Sequence, residues 1–122
     1  MGVTKAHDRA ELISGLHEAA RWDRRVMAER GVNAREIEVS VLGNDDPIAS
    51  VPGEIVPARE FYDYEAKYID DRSTLKIPAP MPEAAAAEAK RIAVVAFKAI
   101  DCAGLARVDF LLDKDTGKLY VS

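Results

Sequence analysis

Apolar positions change their spacing along the chain in a way that marks out its elements. Leu12, Ile13, Leu16, Ala19 and Ala20 recur at helical spacing behind Asp8 and Glu11, a capping-box-like pair, so residues 8–23 are predicted to form an amphipathic helix whose apolar stripe needs a partner. Residues 25–29 (RVMAE) read as a short strand. Residues 36–42 (EIEVSVL) alternate Ile37, Val39 and Val41 against Glu38 and Ser40, the pattern of a half-buried strand. The GNDDP run at 43–47 is turn chemistry, and residues 53–57 (GEIVP) hold another short strand ending at a proline.

From residue 60 to residue 82 the period is lost. The stretch is aromatic and charged in FYDYEAKY, polar in DDRST and proline-rich in IPAPMP, which predicts a long loop of the kind that covers a site. Pro82 and Glu83 then suit the first turn of a helix, with Ala85, Ala89, Ile92, Ala96 and Ala99 at spacings of four and three up to a stop near Gly104. Residues 105–113 (LARVDFLLD) read as a strand, KDTG as a turn, and KLYVS as the start of a further strand in which the chain stops. The mixture, without internal repeats, predicts an α+β fold.

Composition narrows the function classes. The chain has 122 residues, a net charge of −4 and a pI near 5.2, with both signs mixed along its length, which argues against a nucleic-acid surface. A small anionic ligand remains compatible, because local charge governs such a site. Cys102 is the single cysteine and sits in an apolar stretch, so it reads as a buried structural thiol with no internal disulfide to make. No apolar run approaches the roughly 20 residues that span a bilayer, and the N-terminus lacks a signal peptide's hydrophobic centre. A soluble, cytoplasmic protein without membrane partners is expected.

Candidate chemistry is concentrated in a few places. Arg107 and Asp109 are two apart on a predicted strand and project from one face, while Val108 and Phe110 face the other way. Such a face offers a cation for an anionic substrate and a carboxylate for Mg²⁺, although taken alone the pair reads more simply as a solvated ion pair. Glu29 and Glu36 bracket RGVNAR, where backbone groups and a carboxylate can meet a base and ribose hydroxyls; two surface carboxylates are the simpler local reading. Lys67 and Tyr68 end FYDYEAKY, offering a lysine for phosphate and a hydroxyl for substrate, against the alternative of an exposed aromatic loop. His7 and His17 have no partners at metal-ligand spacing, and there is neither a GxSxG elbow nor a Walker A loop.

The ordered set ERGVNAREIEVSVLG (29–43), FYDYEAKY (61–68), IPAP (77–80) and CAGLARVDF (102–110) resembles the D-alanine:D-alanine ligase family, and MGVTKA at the start is similar to the end of that family's phosphate-binding loop. The resemblance implies an incomplete ATP-grasp fold, with residues 1–35 ending the central subdomain and residues 36–122 forming the C-terminal subdomain, which carries a mobile loop at about 60–80. It implies ATP and Mg²⁺, with Mn²⁺ as a possible substitute, D-alanine as substrate, and a homodimeric parent enzyme. Two D-alanines are joined through an acyl phosphate, for peptidoglycan synthesis. By motif position Glu29, Arg30 and Val32 belong to the hinge that holds adenine, Glu36 binds the ribose hydroxyls, and Phe61 adds apolar surface near the nucleotide. Lys67 approaches the phosphates, Tyr68 helps define the second substrate, Arg107 stabilises the phosphorylated intermediate, and Asp109 is a Mg²⁺ ligand.

Departures from the family pattern matter too. A glutamate and an asparagine that also bind Mg²⁺ in the family are expected just beyond Ser122, most of the glycine-serine loop and the N-terminal domain are not in the chain, and Arg30 and Asn33-Ala34 replace a common lysine and glycine. A fragment that is inactive alone is therefore expected. Alternatives are a ligase using D-lactate or D-serine as second substrate, or a non-catalytic nucleotide-binding module from a truncated gene. In a complete parent enzyme, amide exchange across residues 62–75 is expected to slow when ATP and a phosphinate analogue of the intermediate are added together, because closure excludes water. Equal protection with and without these ligands would remove the gating role from Lys67 and Tyr68.

Overall fold

A ten-residue strand needs a partner of equal length to satisfy its backbone, and in this chain two such strands find each other. The computed structural model describes residues 1–57 and 74–122. Strand β1 (Ala34–Gly43) pairs along its whole length with β5 (Gly104–Asp113), antiparallel, from Ala34 opposite Asp113 to Gly43 opposite Gly104. On the other side of β1 lie β2 (Ile48–Ala49) and β3 (Gly53–Val56), which pair with its two ends; β4 (Thr74–Lys76) extends the sheet beyond β3, and β6 (Leu119–Val121) beyond β5. Among the described residues this makes a six-stranded, antiparallel sheet with two helices, the α+β class expected.

The alternation read in EIEVSVL decides which face of the sheet is dry. Ile37, Val39 and Val41 are fully buried, and Val108, Phe110 and Leu112 of β5 join them on the same face. Helix α2 (Glu83–Ala99) covers that face with Ala89, Ala93 and Phe97. The expected stripe through Ala85, Ala89, Ile92, Ala96 and Ala99 is thus displaced: Ile92 and Ala96 only flank the core and Ala99 is exposed. An alanine-rich helix carries little contrast between its faces, and the volume of Phe97, absent from the expected stripe, selects the row that faces the sheet.

The turn after β1 requires a glycine. Gly43 has φ +134°, and a Cβ there would lie 2.8 Å from Pro47 Cα. The turn is tied to β5 by Asn44 Oδ1, which accepts the Gly104 N–H at 3.0 Å.

Helix α1 (Arg9–Ala20) starts as its capping pair predicts: Asp8 accepts the Glu11 N–H at 2.8 Å, and Glu11 reaches back to the His7 N–H at 2.7 Å. Its apolar stripe is not buried, since Leu12, Ile13 and Leu16 are 42%, 46% and 36% exposed. Residues 25–29 are not a strand, because no described segment pairs with them and a strand is defined by pairing. In the opposite direction, β2 forms just after the expected GNDDP turn, where no element was expected, and β4 forms where the sequence was read as loop; both are short, and their backbones are recruited by the edges of β1 and β3.

Arg35 pins this arrangement at the closed end of the core. It shares the buried face of β1 with Ile37, which lies opposite Glu54 of β3, and it grips both Glu54 oxygens at 2.7 and 2.9 Å. The same guanidinium donates to the Pro80 carbonyl at 2.8 Å, while the Ala79 N–H donates to the Pro52 carbonyl at 2.7 Å, so residues 79–80 are fastened to the sheet. The Glu54 side chain is 8% exposed and that of Arg35 25%. The Arg35 hydrogen bonds hold the Glu54 carboxyl below its ordinary value of 4.5 against the opposing effect of burial.

A carboxylate this dry is costly without its partner. In a full-length protein carrying these residues, Arg35→Ala should lower stability by about 3 kcal/mol, while Arg35→Met with Glu54→Leu should cost less, because no charge is stranded. Denaturant unfolding at pH 7 checks both, and a single variant as stable as the parent would show the pair to be screened by solvent. A depressed carboxylate pKa contributes stability above the unfolded value and loses it as pH falls through the folded one. The gap between parent and double variant should therefore narrow below about pH 4.5, the exposed carboxylates being common to both.

Candidate functional site

The face of the sheet turned away from α2 is charged. By strand parity Glu36, Glu38 and Ser40 of β1 project there together with Arg107, Asp109 and Leu111 of β5, and the register sets Glu36 opposite Leu111, Glu38 opposite Asp109 and Ser40 opposite Arg107. Two carboxylates directly opposite each other repel. Arg107 relieves this by lying over both: its Nε and a terminal nitrogen donate to the two Asp109 oxygens at 2.7 and 2.9 Å, and its other terminal nitrogen sits 3.1 Å from Glu38 Oε1. The side chains are 52% exposed for Arg107, 38% for Asp109 and 19% for Glu38, so Arg107 is the most exposed of the three.

A wide cleft of about 2040 Å³ begins beside this triad and runs between the sheet and the N-terminal segment. Glu29, Arg30, Val32 and Glu36 all line it, along with Leu111 and Tyr120. The structure therefore brings four of the six candidate nucleotide residues to one concavity. Arg107 and Asp109 are not among its lining residues, but Asp109 is two residues from Leu111 on the same face, a separation of about 7 Å along a strand. Phe61, Lys67 and Tyr68 lie outside the described residues.

Other titratable groups have structural explanations. Asp113 accepts the amides of Asp115 and Thr116 at 2.8 and 3.2 Å, which holds its pKa below the ordinary value and closes the KDTG turn. His7 is paired with Glu11 at 2.9 Å on the surface of α1. Cys102 is half-buried and packs against the core, as a structural thiol does. A shallow apolar concavity of about 600 Å³ by Ile48, Val94 and Val95 lies on the α2 side, away from the charged face.

Sequence reading missed Glu38. It was taken only as the polar half of an alternation, and the signal available was its position two residues after Glu36 on the same face. Its partnership with Arg107 depends on cross-strand register, which the sequence does not print. For a divalent cation, Asp109 offers a hard carboxylate ligand on the open face, which fits Mg²⁺ chemistry. Among the described residues no group of three or more His, Cys, Asp or Glu side chains is placed to hold a metal, so Asp109 could be at most part of such a site. No helix among the described residues is long and apolar enough to cross a membrane.

Comparison with known proteins identifies the family. The family model described as D-ala D-ala ligase C-terminus matches residues 1–122. A D-alanine–D-alanine ligase of Acetivibrio thermocellus is 57% identical over 122 residues, covering 100% of this chain and 32% of the relative. One from Clostridium acetobutylicum is 55% identical, covering 100% and 36%. The chain thus spans about a third of the length of the curated relatives it matches. Among solved structures, the D-alanine-D-alanine ligase from Coxiella burnetii superposes with a TM-score of 0.80 at 33% identity, over 97% of this chain and 30% of that one. The VanG D-Ala:D-Ser ligase from Enterococcus faecalis gives 0.81 at 31% identity, over 97% and 34%. With a sheet that superposes on these ATP-grasp ligases and a family model matched from its first residue to its last, the chain belongs to the D-alanine:D-alanine ligase family, in that family's C-terminal part.

Proposed function

We propose that these residues form the nucleotide-binding and intermediate-stabilising part of an ATP-dependent ligase that joins two D-alanines for peptidoglycan synthesis. The observation that carries the reading is the placement of Arg107, between Glu38 and Asp109 on an open charged face that continues into a cleft lined by Glu29, Arg30, Val32 and Glu36. In this reading residues 1–35 end the central ATP-grasp subdomain and residues 36–122 belong to the C-terminal one. The start of pairing at Ala34, after an unpaired stretch, supports a boundary there.

The chemistry asks for positioning and charge more than for covalent help from the protein. A carboxylate oxygen of the first D-alanine attacks the γ-phosphorus of ATP, the bond to the β-phosphate oxygen breaks, and ADP leaves. The amine of the second D-alanine then attacks the acyl carbon, loses a proton and expels phosphate. Backbone groups of residues 29–32 hold adenine and Glu36 accepts from the ribose hydroxyls. Lys67 neutralises phosphate charge, Tyr68 orients the second substrate and Phe61 packs near the nucleotide. Arg107 stabilises the negative charge that accumulates on the acyl phosphate. Asp109 is a ligand for Mg²⁺, or for Mn²⁺ in its place, which when bound would neutralise the triphosphate.

The D-serine alternative has one observation in its favour, the likeness to a solved D-Ala:D-Ser ligase. The two D-alanine relatives are closer, at 57% and 55% identity against 31%. Product analysis with D-alanine, D-serine and D-lactate in competition separates these readings, and the nucleotide sequence flanking the chain tests the truncated-gene module.

Expressed alone with ATP, Mg²⁺ and D-alanine, residues 1–122 should release no ADP or phosphate above a no-protein control, since no described group of three or more His, Cys, Asp or Glu side chains is placed to hold the metal. Turnover would contradict that. In a full-length ligase carrying them, Arg107→Ala should lower kcat about a hundredfold, on the order of 3 kcal/mol, with a far smaller change in KM for ATP. A variant with near-normal kcat would reassign Arg107 to a structural ion pair.

A further inference from the structure

We infer that Glu38 is a positioning residue for Arg107, holding the guanidinium on the open face so that Asp109 is free to serve a divalent cation. The inference rests on the roles proposed above for Arg107 and Asp109, and deepens them.

The geometry presents a conflict. Arg107 occupies both oxygens of Asp109 in a fork, at 2.7 and 2.9 Å, and so competes for the carboxylate that is the candidate cation ligand. With Asp109 as its only acidic neighbour, the arginine would cancel that carboxylate's charge, and a cation arriving there would meet a guanidinium at close range. Glu38 changes both terms. It contacts the terminal nitrogen that Asp109 does not use, at 3.1 Å, from the neighbouring strand. Among the described residues the guanidinium is thus shared between two carboxylates, so its charge is not set against Asp109 alone.

Glu38 is also the better fixed of the two acids, being 19% exposed against 38% for Asp109. It stands on the central strand of the sheet between buried Ile37 and Val39. When Asp109 turns toward a cation, Arg107 keeps an acidic anchor and stays above the sheet, where an acyl phosphate would need it. A structural reading of the same contacts is that Arg107 merely neutralises two opposed carboxylates, and the experiment has to separate these.

The probe is Mn²⁺ with ADP, followed by paramagnetic resonance on a full-length ligase carrying these residues, so that no turnover is needed. Glu38→Gln should weaken Mn²⁺ binding about fivefold, because the guanidinium, having lost its second acidic partner, then competes more strongly with the cation for Asp109, by about the strength of one partly exposed ion pair. In an Arg107→Met background the same substitution should change the affinity less than about twofold, because Glu38 then has no guanidinium to hold. An unchanged or tighter affinity for Glu38→Gln alone, or an equal loss in both backgrounds, would overturn the inference. A measurement on the unsubstituted enzyme guards against a variant that fails to fold: on adding Mg²⁺ and ADP, the Arg107 Nε resonance should shift while its guanidinium remains slow to rotate. A freely rotating guanidinium would count against Glu38 as anchor. If Asp109→Asn leaves Mn²⁺ affinity untouched, the underlying assignment falls as well; if it removes binding while Glu38→Gln is silent, only the role of Glu38 falls.

Discussion

The pairing of β1 with β5 over all ten residues of each strand constrains everything else in this chain. Side chains alternate with a period of two, so a slip of one residue would turn Ile37, Val39 and Val41 into solvent and Glu36 and Glu38 into the core. Burying two carboxylates and exposing three β-branched residues is a heavy penalty, which makes the register specific. The turn at Gly43 and the Asn44 bond to Gly104 fix the same register from the end of the ladder.

Once the register is set, parity divides the work of β1 between its faces. Arg35 and Glu36 are neighbours in sequence and opposite in role. Arg35 points to the dry side, where it grips Glu54 and the Pro80 carbonyl and fastens the segment after β4. Glu36 points to the open side, although the cleft is wide enough that Arg35 and Glu54 line it together with Glu36. The two arginine–carboxylate forks differ for the same reason. The one at Glu54 is enclosed and ties strands together, whereas the one at Asp109 lies on a face where water and ligands can compete for its partners.

The N-terminal third behaves differently. Helix α1 has a good N-cap and a recognisable stripe but no buried residue, and Trp22 and Met27 beyond it are 54% and 78% exposed. Its order is local, drawn from capping and side-chain pairs such as Glu18 with Arg21 and Trp22, and the apolar contact its pattern asks for is not supplied by the described residues.

Much of the fold was legible in the sequence because it is local. The alternation in EIEVSVL and LARVDFLLD, the capping pair at Asp8 and Glu11, and the GNDDP turn each follow from residues near one another, and the ordered motifs identified the family. So was the shared face of Arg107 and Asp109, since strand parity needs only their spacing. What depends on segments far apart in sequence was not legible. The row of α2 that meets the sheet was settled by Phe97 against β1 and β5, the short strands β2 and β4 exist only because longer neighbours offer free edges, and residues 25–29 pair with no described segment. Glu54 as Arg35's partner and Glu38 as Arg107's are likewise products of register. Spacing along one strand fixes which way a side chain points, but which charge it meets is fixed by the strand that comes to lie beside it.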